Sequence, residues 1–426
     1  MIQKSLFGWS KPRIYTQRMD GPIDPPSPLP LPRKVILRVE KPEGGGAPAL
    51  SPGEAVRTGQ RLVLLESPPV AVTATVTGTV QAIETVIGDF GREYWAVKIE
   101  TGETEEIDDA FAQAAQQPDL ATLSTFLTDA PGAPPLAAWS RLENPIHTLV
   151  VAGADADLFT LTRRHVAGTR EEDLTRGIAV LKAATGAEKA VIVLPQDTVQ
   201  NVGGIGAKPY GVSTEFPAAL PELMLRDVLG IEKPAGTAMA EAGLGYISVE
   251  AVAAIGQAFI QKCVPVEKIV TVTDKAGRGK MVRVRIGTLI QDILSAIGVT
   301  VAEGDRIIIG GPMTGSAVFT TAHPVLPDTD AVMIQDGSNL DLPTDYPCVN
   351  CGECIRVCPA NVPVNMLIRF LEAAQYQSAA DEYDLYSCVE CGLCAFVCVS
   401  KIPILQYIRL GKHELARIQQ AEAANA

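Results

Sequence analysis

Cysteine placement constrains this chain more than any other feature of its sequence. Eight of the nine cysteines lie in a 51-residue window from Cys348 to Cys398, and the other 375 residues contain only Cys263. A disulfide framework would distribute its bridges over a small secreted domain, so this concentration argues against one. Clustered thiolates in a reducing compartment bind metal, which predicts a metal-binding domain near the C-terminus.

The spacing within this window indicates the kind of metal centre. Residues 348–359 read C-x2-C-x2-C-x3-C-P, and residues 388–399 repeat the cysteine spacing without the proline. Three thiolates separated by two residues can surround one cubane, while the fourth reaches the other cluster, as in two-cluster ferredoxins. The sequence therefore predicts two [4Fe–4S] clusters, named cluster 1 (Cys348, Cys351, Cys354 and Cys398) and cluster 2 (Cys358, Cys388, Cys391 and Cys394).

A structural zinc site is the alternative interpretation of these cysteines. Zinc takes four ligands, usually from two C-x2–4-C pairs, and two sets of four cysteines exceed that requirement. Between the motifs, residues 364–374 carry apolar side chains at helical spacing. We therefore predict a helical ferredoxin domain that holds two clusters.

Composition and charge exclude several other classes of protein. Apolar residues make up 47% of the chain and charged residues 20%, which is typical of a folded globular protein. The formal net charge of −13 makes nucleic acid an unfavourable partner. No stretch approaches 18 uncharged apolar residues, and the N-terminus lacks the apolar segment of a signal peptide. We therefore expect neither a membrane span nor secretion.

The residues before the cysteine window change pattern several times. Residues 1–34 are rich in proline and predict an extended arm. Residues 35–102 contain short runs of β-branched residues and resemble the barrel-sandwich hybrid fold of lipoyl and biotinyl carriers. Residues 103–146, rich in alanine and proline, predict a linker with one short helix at 120–127.

Apolar strands then alternate with a helix. The strand 148–152, the helix 171–185 and the strand 190–194 predict a Rossmann-like α/β domain with a parallel sheet. Two strands, a helix and a further strand beyond it suggest a β-grasp-like module. The predicted fold is thus multidomain α+β, and the predicted parts from the α/β domain onward are 147–262 (α/β), 263–330 (β-grasp), 331–342 (linker), 343–415 (ferredoxin domain) and 416–426 (C-terminal tail).

The order of these parts resembles the C subunit of the Rnf complex. The C-terminal segments "CVNCGECIRVCPANVPVNMLI" and "YSCVECGLCAFVCVSKIPILQYIRLGKHEL" are very close to that family, and "KIVTVT" and "GGPMTG" resemble its soluble-ligand-binding β-grasp (SLBB) module. The resemblance covers about residues 20–415. It implies a complex that couples electron flow between ferredoxin and NAD to ion movement across a membrane. It also implies a peripheral subunit with FMN, two [4Fe–4S] clusters and a site for NAD(H).

One departure from the family bears on the flavin. Family members carry a glycine-rich G-x-G-G-x-G-F-P-T loop before the first α/β strand, and the equivalent stretch here, 127–136, has one glycine and three prolines. Prolines remove the N–H donors that a phosphate would need, so we predict that tight FMN and NAD(H) binding is lost. A glycine-rich stretch later in the chain is a candidate substitute flavin or dinucleotide loop, with Gly203, Gly204 and Gly206 as its binding residues.

These features predict an iron–sulfur electron-transfer subunit of an Rnf-like complex, peripheral on the cytoplasmic face of the membrane. Its expected partners are the integral membrane subunits and other redox subunits, with a cytochrome, a ferredoxin or a flavoprotein as electron donor or acceptor. Two alternatives remain open from the sequence. One is an NADH-oxidising flavoprotein subunit of an ion-translocating ferredoxin:NAD oxidoreductase, and the other is a soluble iron–sulfur adaptor of a dehydrogenase.

Overall fold

The architecture comes from a computed structural model that describes residues 14–15, 24–340, 342–344 and 346–425. Within these ranges the chain is a multidomain mixed α/β protein with a helical C-terminal part. Much of the predicted proline-rich arm lies outside the described residues. Its described parts include two short strands, β1 (Ile14–Tyr15) and β2 (Ser27–Pro28).

A β-rich unit follows the arm. Its strands are β3 (Lys34–Glu40), β4 (Ala55–Val56), β5 (Arg61–Glu66), β6 (Pro69–Thr73), β7 (Gly78–Ile87) and β8 (Glu93–Thr101). An antiparallel sheet has the order β3-β8-β7-β4, and β5 pairs with β6. Side chains alternate across β3, so Val35 and Leu37 enter a core that contains Leu64, Val97 and Ile99.

The segment predicted as a linker, 103–146, is largely folded. It contains α1 (Ala110–Ala114), α2 (Leu120–Leu127) and α3 (Leu136–Trp139), of which only the second was expected. Asp119 caps α2, since its carboxylate accepts a hydrogen bond from the Thr122 N–H at 2.8 Å. Phe111, Leu123 and Trp139 are buried in the same core as the α/β unit. The linker prediction is therefore corrected, because these apolar contacts are made with residues distant in sequence.

The α/β unit is built on a parallel sheet. Its elements are β9 (Thr148–Ala152), α4 (Thr162–Thr169), α5 (Glu171–Thr185), β10 (Lys189–Pro195), β11 (Lys208–Val212), β12 (Glu215–Phe216), α6 (Pro221–Asp227), β13 (Leu244–Ser248) and α7 (Val249–Gln261). The parallel sheet has the order β11-β10-β9-β13. From β9 the chain continues to β10 and β11 on one flank of β9, and it later places β13 on the opposite flank. The carboxyl ends of β9 and β13 therefore flank the topological switch point, where such sheets bind ligands.

The next unit is a six-stranded sheet with one helix. It contains β14 (Glu267–Thr273), β15 (Gly279–Arg285), α8 (Ile290–Ile297), β16 (Arg306–Ile309), β17 (Ser316–Val318) and β18 (Ala331–Gln335). The strand order is β17-β16-β18-β14-β15-β2, so the arm supplies one edge strand. β1 pairs in turn with β12 of the α/β unit.

Strand β18 lies in the segment predicted as the second linker, 331–342. It pairs with β14 and β16, and its Val332 and Ile334 are buried, so this linker prediction is also corrected. The reason is that polar residues flank the strand on both sides, while its partners lie far back in the sequence.

The cysteine region is helical, as predicted. Its helices are α9 (Glu353–Val357), α10 (Val364–Glu372), α11 (Tyr376–Tyr383), α12 (Leu393–Val397) and α13 (Ile404–Asn425). Leu367, Leu371, Ile404 and Ile408 form its core together with several cysteines. The predicted tail at 416–426 continues α13 as far as Asn425. None of the helices in the described part of the chain combines the length and apolar character needed to cross a bilayer.

Candidate iron–sulfur site

The two cysteine motifs fold in the same way. Each begins with a loop and turns into a five-residue helix, α9 or α12, directly before its fourth cysteine. Gly352 and Gly392 precede these helices with φ of 78° and 74°, in the left-handed region that glycine adopts without strain. Asn350 and Glu390 occupy equivalent positions with φ of 54° and 53°. The repeated spacing therefore produces a repeated loop.

The cysteines predicted for cluster 1 line one pocket. Cys348, Cys351, Cys354 and Cys398 all contribute to its wall, together with Ile368 and Ile402. Burial, together with the neighbouring thiols of Cys348 and Cys351, raises the pKa of Cys354 to about 11. The fourth cysteine of the second motif is thus brought to the first three cysteines of the first.

The remaining four cysteines form a second group. Burial raises the pKa of Cys394 well above its ordinary value, and the thiols of Cys388, Cys391 and Cys358 add to that effect. Burial likewise raises the pKa of Cys391 to about 12, with Cys388 and Cys358 again among the causes. Cys358, from the first motif, therefore lies among the cysteines of the second motif.

These donor sets fit [4Fe–4S] clusters. Each group offers four thiols, and thiolate is the ligand that iron–sulfur clusters take. Backbone N–H groups already point at sulfur, from Val362 to Cys358 Sγ at 3.3 Å and from Glu390 to Cys388 Sγ at 3.4 Å. Across the described ranges, no three His, Cys, Asp or Glu side chains converge on a position for a single metal ion. A cubane spreads its four ligands over its corners, so its ligands need not converge in that way.

The two groups differ in exposure. Cys351 of the first group is exposed, whereas Cys358, Cys391 and Cys394 of the second are buried. Cys391 packs in an apolar cluster with Leu158 and Met313, which belong to the α/β unit and the six-stranded unit. The first group therefore faces outward and the second faces the interior of the protein.

A chain of polar contacts joins the α/β unit to the second group. Asp157, after β9, accepts hydrogen bonds from the N–H and Oγ1 of Thr314, both at 2.6 Å. The carbonyl oxygen of Thr314 accepts a hydrogen bond from Arg409 Nη2 at 2.6 Å. Arg409 also pairs with Glu390 at 3.2 Å. The G-G-P-M-T-G loop (residues 310–315) thus connects the sheet edge to the loop at residues 388–392, named the cluster 2 loop.

Sequence reasoning missed the cations around the second group. Lys412 Nζ donates to Glu390 Oε1 and to the carbonyl oxygen of Cys388, both at 2.8 Å. Burial would raise the pKa of Glu390, but Lys412 and Arg409 outweigh it and hold that pKa below its ordinary value. The available signal was spacing, because Arg409 and Lys412 lie three residues apart and so share one face of α13.

The glycines proposed as a substitute nucleotide loop lie between two strands. Gly203, Gly204 and Gly206 follow β10, and the chain continues into β11. In a dinucleotide fingerprint the glycine loop opens a helix, whose N-terminus binds the phosphate. The assignment of these three glycines therefore stays a prediction.

The stretch equivalent to the family's glycine-rich loop covers the N-terminus of α7. Ser248 caps this helix by accepting from the Ala251 N–H at 3.2 Å, and its hydroxyl donates to the Gly132 carbonyl oxygen at 3.3 Å. Gly132 has φ of 82°, and a Cβ there would lie 2.5 Å from the Ala251 nitrogen. The loop therefore lies in direct contact with the helix end at the switch point of the sheet.

Paired charges lie at the same edge of the sheet. Glu250, in the first turn of α7, pairs with the fully buried Lys268 at 3.0 Å. Arg163, on α4, pairs with Asp330 at 3.1 Å, and its N–H donates to Asp155 at 2.9 Å. These acids and bases satisfy one another within the protein.

Comparison with known proteins agrees with this site. The 4Fe-4S dicluster domain family matches residues 347–402, which span both motifs. The C subunit of the Na(+)-translocating ferredoxin:NAD(+) oxidoreductase complex of Acetobacterium woodii is 24% identical over 75% of this chain and 77% of that protein. The C subunit of the proton-translocating ferredoxin:NAD(+) oxidoreductase complex of Clostridium ljungdahlii is 24% identical over 93% of this chain and 91% of that protein.

Two further similarities are more limited. The C subunit of the ion-translocating oxidoreductase complex of Pseudomonas aeruginosa is 27% identical over 54% of this chain, which spans 31% of that protein. A solved NAD+-reducing [NiFe]-hydrogenase chain has 16% identity and a TM-score of 0.45, over 75% of this chain and 69% of that one. A likeness at that TM-score supports no inference about function.

The fold and the site thus define an iron–sulfur protein with a 4Fe-4S dicluster domain. The resemblance to the C subunit of the Rnf complex is confirmed by relatives named as C subunits of ion-translocating ferredoxin:NAD(+) oxidoreductase complexes, across 75% and 93% of the chain.

Proposed function

We propose that this protein is an iron–sulfur electron-transfer subunit of a membrane-associated Rnf-like complex, with two [4Fe–4S] clusters and no tight FMN or NAD(H) site of its own. The observation that carries the proposal is the grouping of the eight cysteines into two sets of four, each completed by the other motif. This grouping supports the ligand assignment made from spacing.

The chain's own residues would hold the clusters and control access to them. When bound, [4Fe–4S] clusters accept and release single electrons. Helices α10 and α13 pack apolar side chains around most of the cysteines, which limits the access of water to them. The exposed Cys351 leaves cluster 1 as the end at which a partner protein exchanges electrons, while cluster 2 stays shielded.

The occupied sheet edge supports the loss of flavin binding. Ligands of open α/β sheets bind outside the carboxyl ends of the strands at the switch point. Here the Gly132 loop and the Glu250–Lys268 pair occupy that position. The NADH-oxidising alternative needs the room that these groups fill.

Finer features of the fold belong to the same proposal. The topology supports a barrel-sandwich-like unit at 35–102, a Rossmann-like unit from 147 to 262 and a β-grasp (SLBB) unit that takes in β18. The partners would be the membrane-integral and redox subunits of the complex, with a cytochrome, a ferredoxin or a flavoprotein as donor or acceptor. We place the protein on the cytoplasmic face.

Metal analysis of the purified protein tests the cluster assignment. Two clusters require about eight iron and about eight acid-labile sulfide per chain. Cys351→Ala should remove cluster 1 alone, and Cys391→Ala should remove cluster 2 alone. The crossed wiring adds a sharper expectation, because Cys398→Ala should act like Cys351→Ala and Cys358→Ala like Cys391→Ala. The opposite pairing, read by EPR, would show that each motif holds its own cluster.

Flavin analysis and co-purification separate the alternatives. We expect no stoichiometric FMN and no bleaching of the clusters by NADH alone. Stoichiometric FMN, or bleaching of the clusters by NADH alone, would favour the NADH-oxidising flavoprotein. Recovery of integral membrane subunits with the tagged protein supports the Rnf-like complex, whereas recovery with only a soluble dehydrogenase supports the adaptor.

A further inference from the structure

The two halves of the cysteine domain are equivalent beyond the cysteines. Helix α10 begins six residues after Cys358, and α13 begins six residues after Cys398. Fourteen residues after these cysteines, the first half has Glu372 and the second has Lys412. The repeat therefore places opposite charges at one equivalent position.

The charge on the second half is held against the cluster 2 loop. Lys412 contacts both the carbonyl oxygen of Cys388 and the carboxylate of Glu390 at 2.8 Å, and its side chain is only 24% exposed. Arg409 binds the other oxygen of Glu390 at 3.2 Å. Two cations thus share one carboxylate, which leaves a net positive charge beside the loop.

At the equivalent positions of the first half, opposite charges balance, because Arg369 is the counterpart of Arg409 and Glu372 is the counterpart of Lys412. Asn350 stands where Glu390 does, and its side-chain oxygen accepts from Asn365 Nδ2 at 2.9 Å, so both groups are uncharged. Arg356, which reaches the Cys351 carbonyl oxygen at 3.5 Å, is neutralised by Glu353 at 2.6 Å. Glu372 is exposed.

We propose that Lys412, supported by Arg409, sets the reduction potential of cluster 2 by holding a fixed positive charge next to it. This inference rests on the proposed function, since it requires the cluster. Reduction adds one electron from the donor and neither makes nor breaks a bond. A nearby positive charge stabilises the reduced, more negative cluster more than the oxidised one, and so raises the potential. Partial burial keeps this charge from being screened as a surface charge would be.

Potentiometric EPR titration of the full chain with its clusters tests the inference. Dithionite supplies the electrons, and single-cluster variants assign the two signals. At the wild-type midpoint of cluster 2, we expect Lys412→Met to lower the ratio of reduced to oxidised cluster about tenfold, which is about 59 mV for one electron. Cluster 1 should titrate as before. Lys412→Arg should keep the wild-type midpoint, and Glu372→Gln, at the equivalent position, should move neither midpoint.

A variant that removes a negative charge instead of a positive one tests the inference even if Lys412→Met does not hold cluster 2. Glu390→Gln removes a negative charge from the same site and should raise the midpoint of cluster 2. Equal shifts in Lys412→Met and Lys412→Arg, or an unchanged midpoint in Glu390→Gln, overturn the inference. Iron and sulfide contents too low for two clusters in the wild type would instead overturn the proposed function.

Discussion

Two places in this protein correspond to cofactor positions in related folds, and they differ in what occupies them. At the carboxyl edge of the parallel sheet, acids and bases pair with one another, as Glu250 does with Lys268 and Arg163 with Asp330. In the cysteine domain, four thiols instead line a pocket.

The contrast shows two ways in which buried polar groups are satisfied. Oppositely charged side chains satisfy one another when they are buried. Reduced thiols form only weak hydrogen bonds with other protein groups, whereas thiolates are strong ligands for metal. The charges at the sheet edge thus have partners within the protein, whereas the thiols of the cysteine domain are arranged as ligands for metal.

The largest expected effect comes from breaking the pair at the sheet edge. Lys268→Met leaves the Glu250 carboxylate buried without its cation, which should lower the free energy of unfolding by about 3–5 kcal/mol. Denaturant unfolding measures it. Lys268→Met combined with Glu250→Gln should recover part of the loss, because no unpaired charge remains. A loss below about 1 kcal/mol in the single variant would mean that the edge is open to water.

The pH dependence of stability offers a second test of the same edge. Burial raises the pKa of Asp155 to about 7, although the N–H and charge of Arg163 oppose this. Because the raised pKa favours the neutral acid, its stabilisation is present at low pH and is lost as the pH rises through about 7.

Replacement of Asp155 by Asn should remove this dependence. Relative to Asp155→Asn, the wild type should lose about 2 kcal/mol of unfolding free energy between about pH 5.5 and pH 8. Denaturant unfolding curves of the wild type and of Asp155→Asn, recorded at each pH, give the difference in unfolding free energy. A constant difference across that range would contradict the raised pKa.

Within the cysteine domain, two matched glycines test how tightly each loop is enclosed. A Cβ on Gly392 would lie 2.5 Å from the Met313 carbonyl oxygen, whereas a Cβ on Gly352 would meet nothing within 4 Å. Both have positive φ, so each substitution by alanine costs about 1 kcal/mol in backbone strain. Gly392→Ala should lower the free energy of unfolding by at least about 1 kcal/mol more than Gly352→Ala does, because the backbone at Met313 must move. Thermal unfolding with intact clusters measures the loss in each variant. Equal losses would show that the loop at Met313 moves aside at little cost in free energy.

The smallest effect is expected on the outer face of cluster 1. Glu353 and Arg356 pair at 2.6 Å with side chains 42% and 49% exposed. Glu353→Gln should change the unfolding free energy by less than about 1 kcal/mol, since exposed pairs are weak. A larger loss, measured by thermal unfolding, would indicate that this pair is shielded from water.

The local spacing of apolar residues predicted many of the helices and strands. The strand Thr148–Ala152 and the helices Leu120–Leu127 and Glu171–Thr185 have the bounds expected from the sequence. Each depends on side chains spaced within its own residues. Strand β18 and the helices α1 and α3 of the first supposed linker were missed, because contacts distant in sequence bury them.

In the candidate site, too, some features follow from local spacing and others depend on contacts distant in sequence. Spacing alone predicted which cysteines group together, including the exchange of the fourth cysteine between motifs. It did not predict that Lys412 and Arg409 of α13 reach Glu390, or that Thr314 links Arg409 to Asp157. Those contacts join residues distant in sequence, and the spacing of Arg409 and Lys412 indicates only that they share one face of α13.

The sequence by itself determined that this chain offers two four-cysteine sites, because three-residue spacing dictates how a short loop can present thiols. Only the tertiary structure decided that one site faces outward and the other faces the interior beside a lysine and an arginine. Burial and charge pairing depend on what packs against a loop, and the packing partners come from elsewhere in the chain.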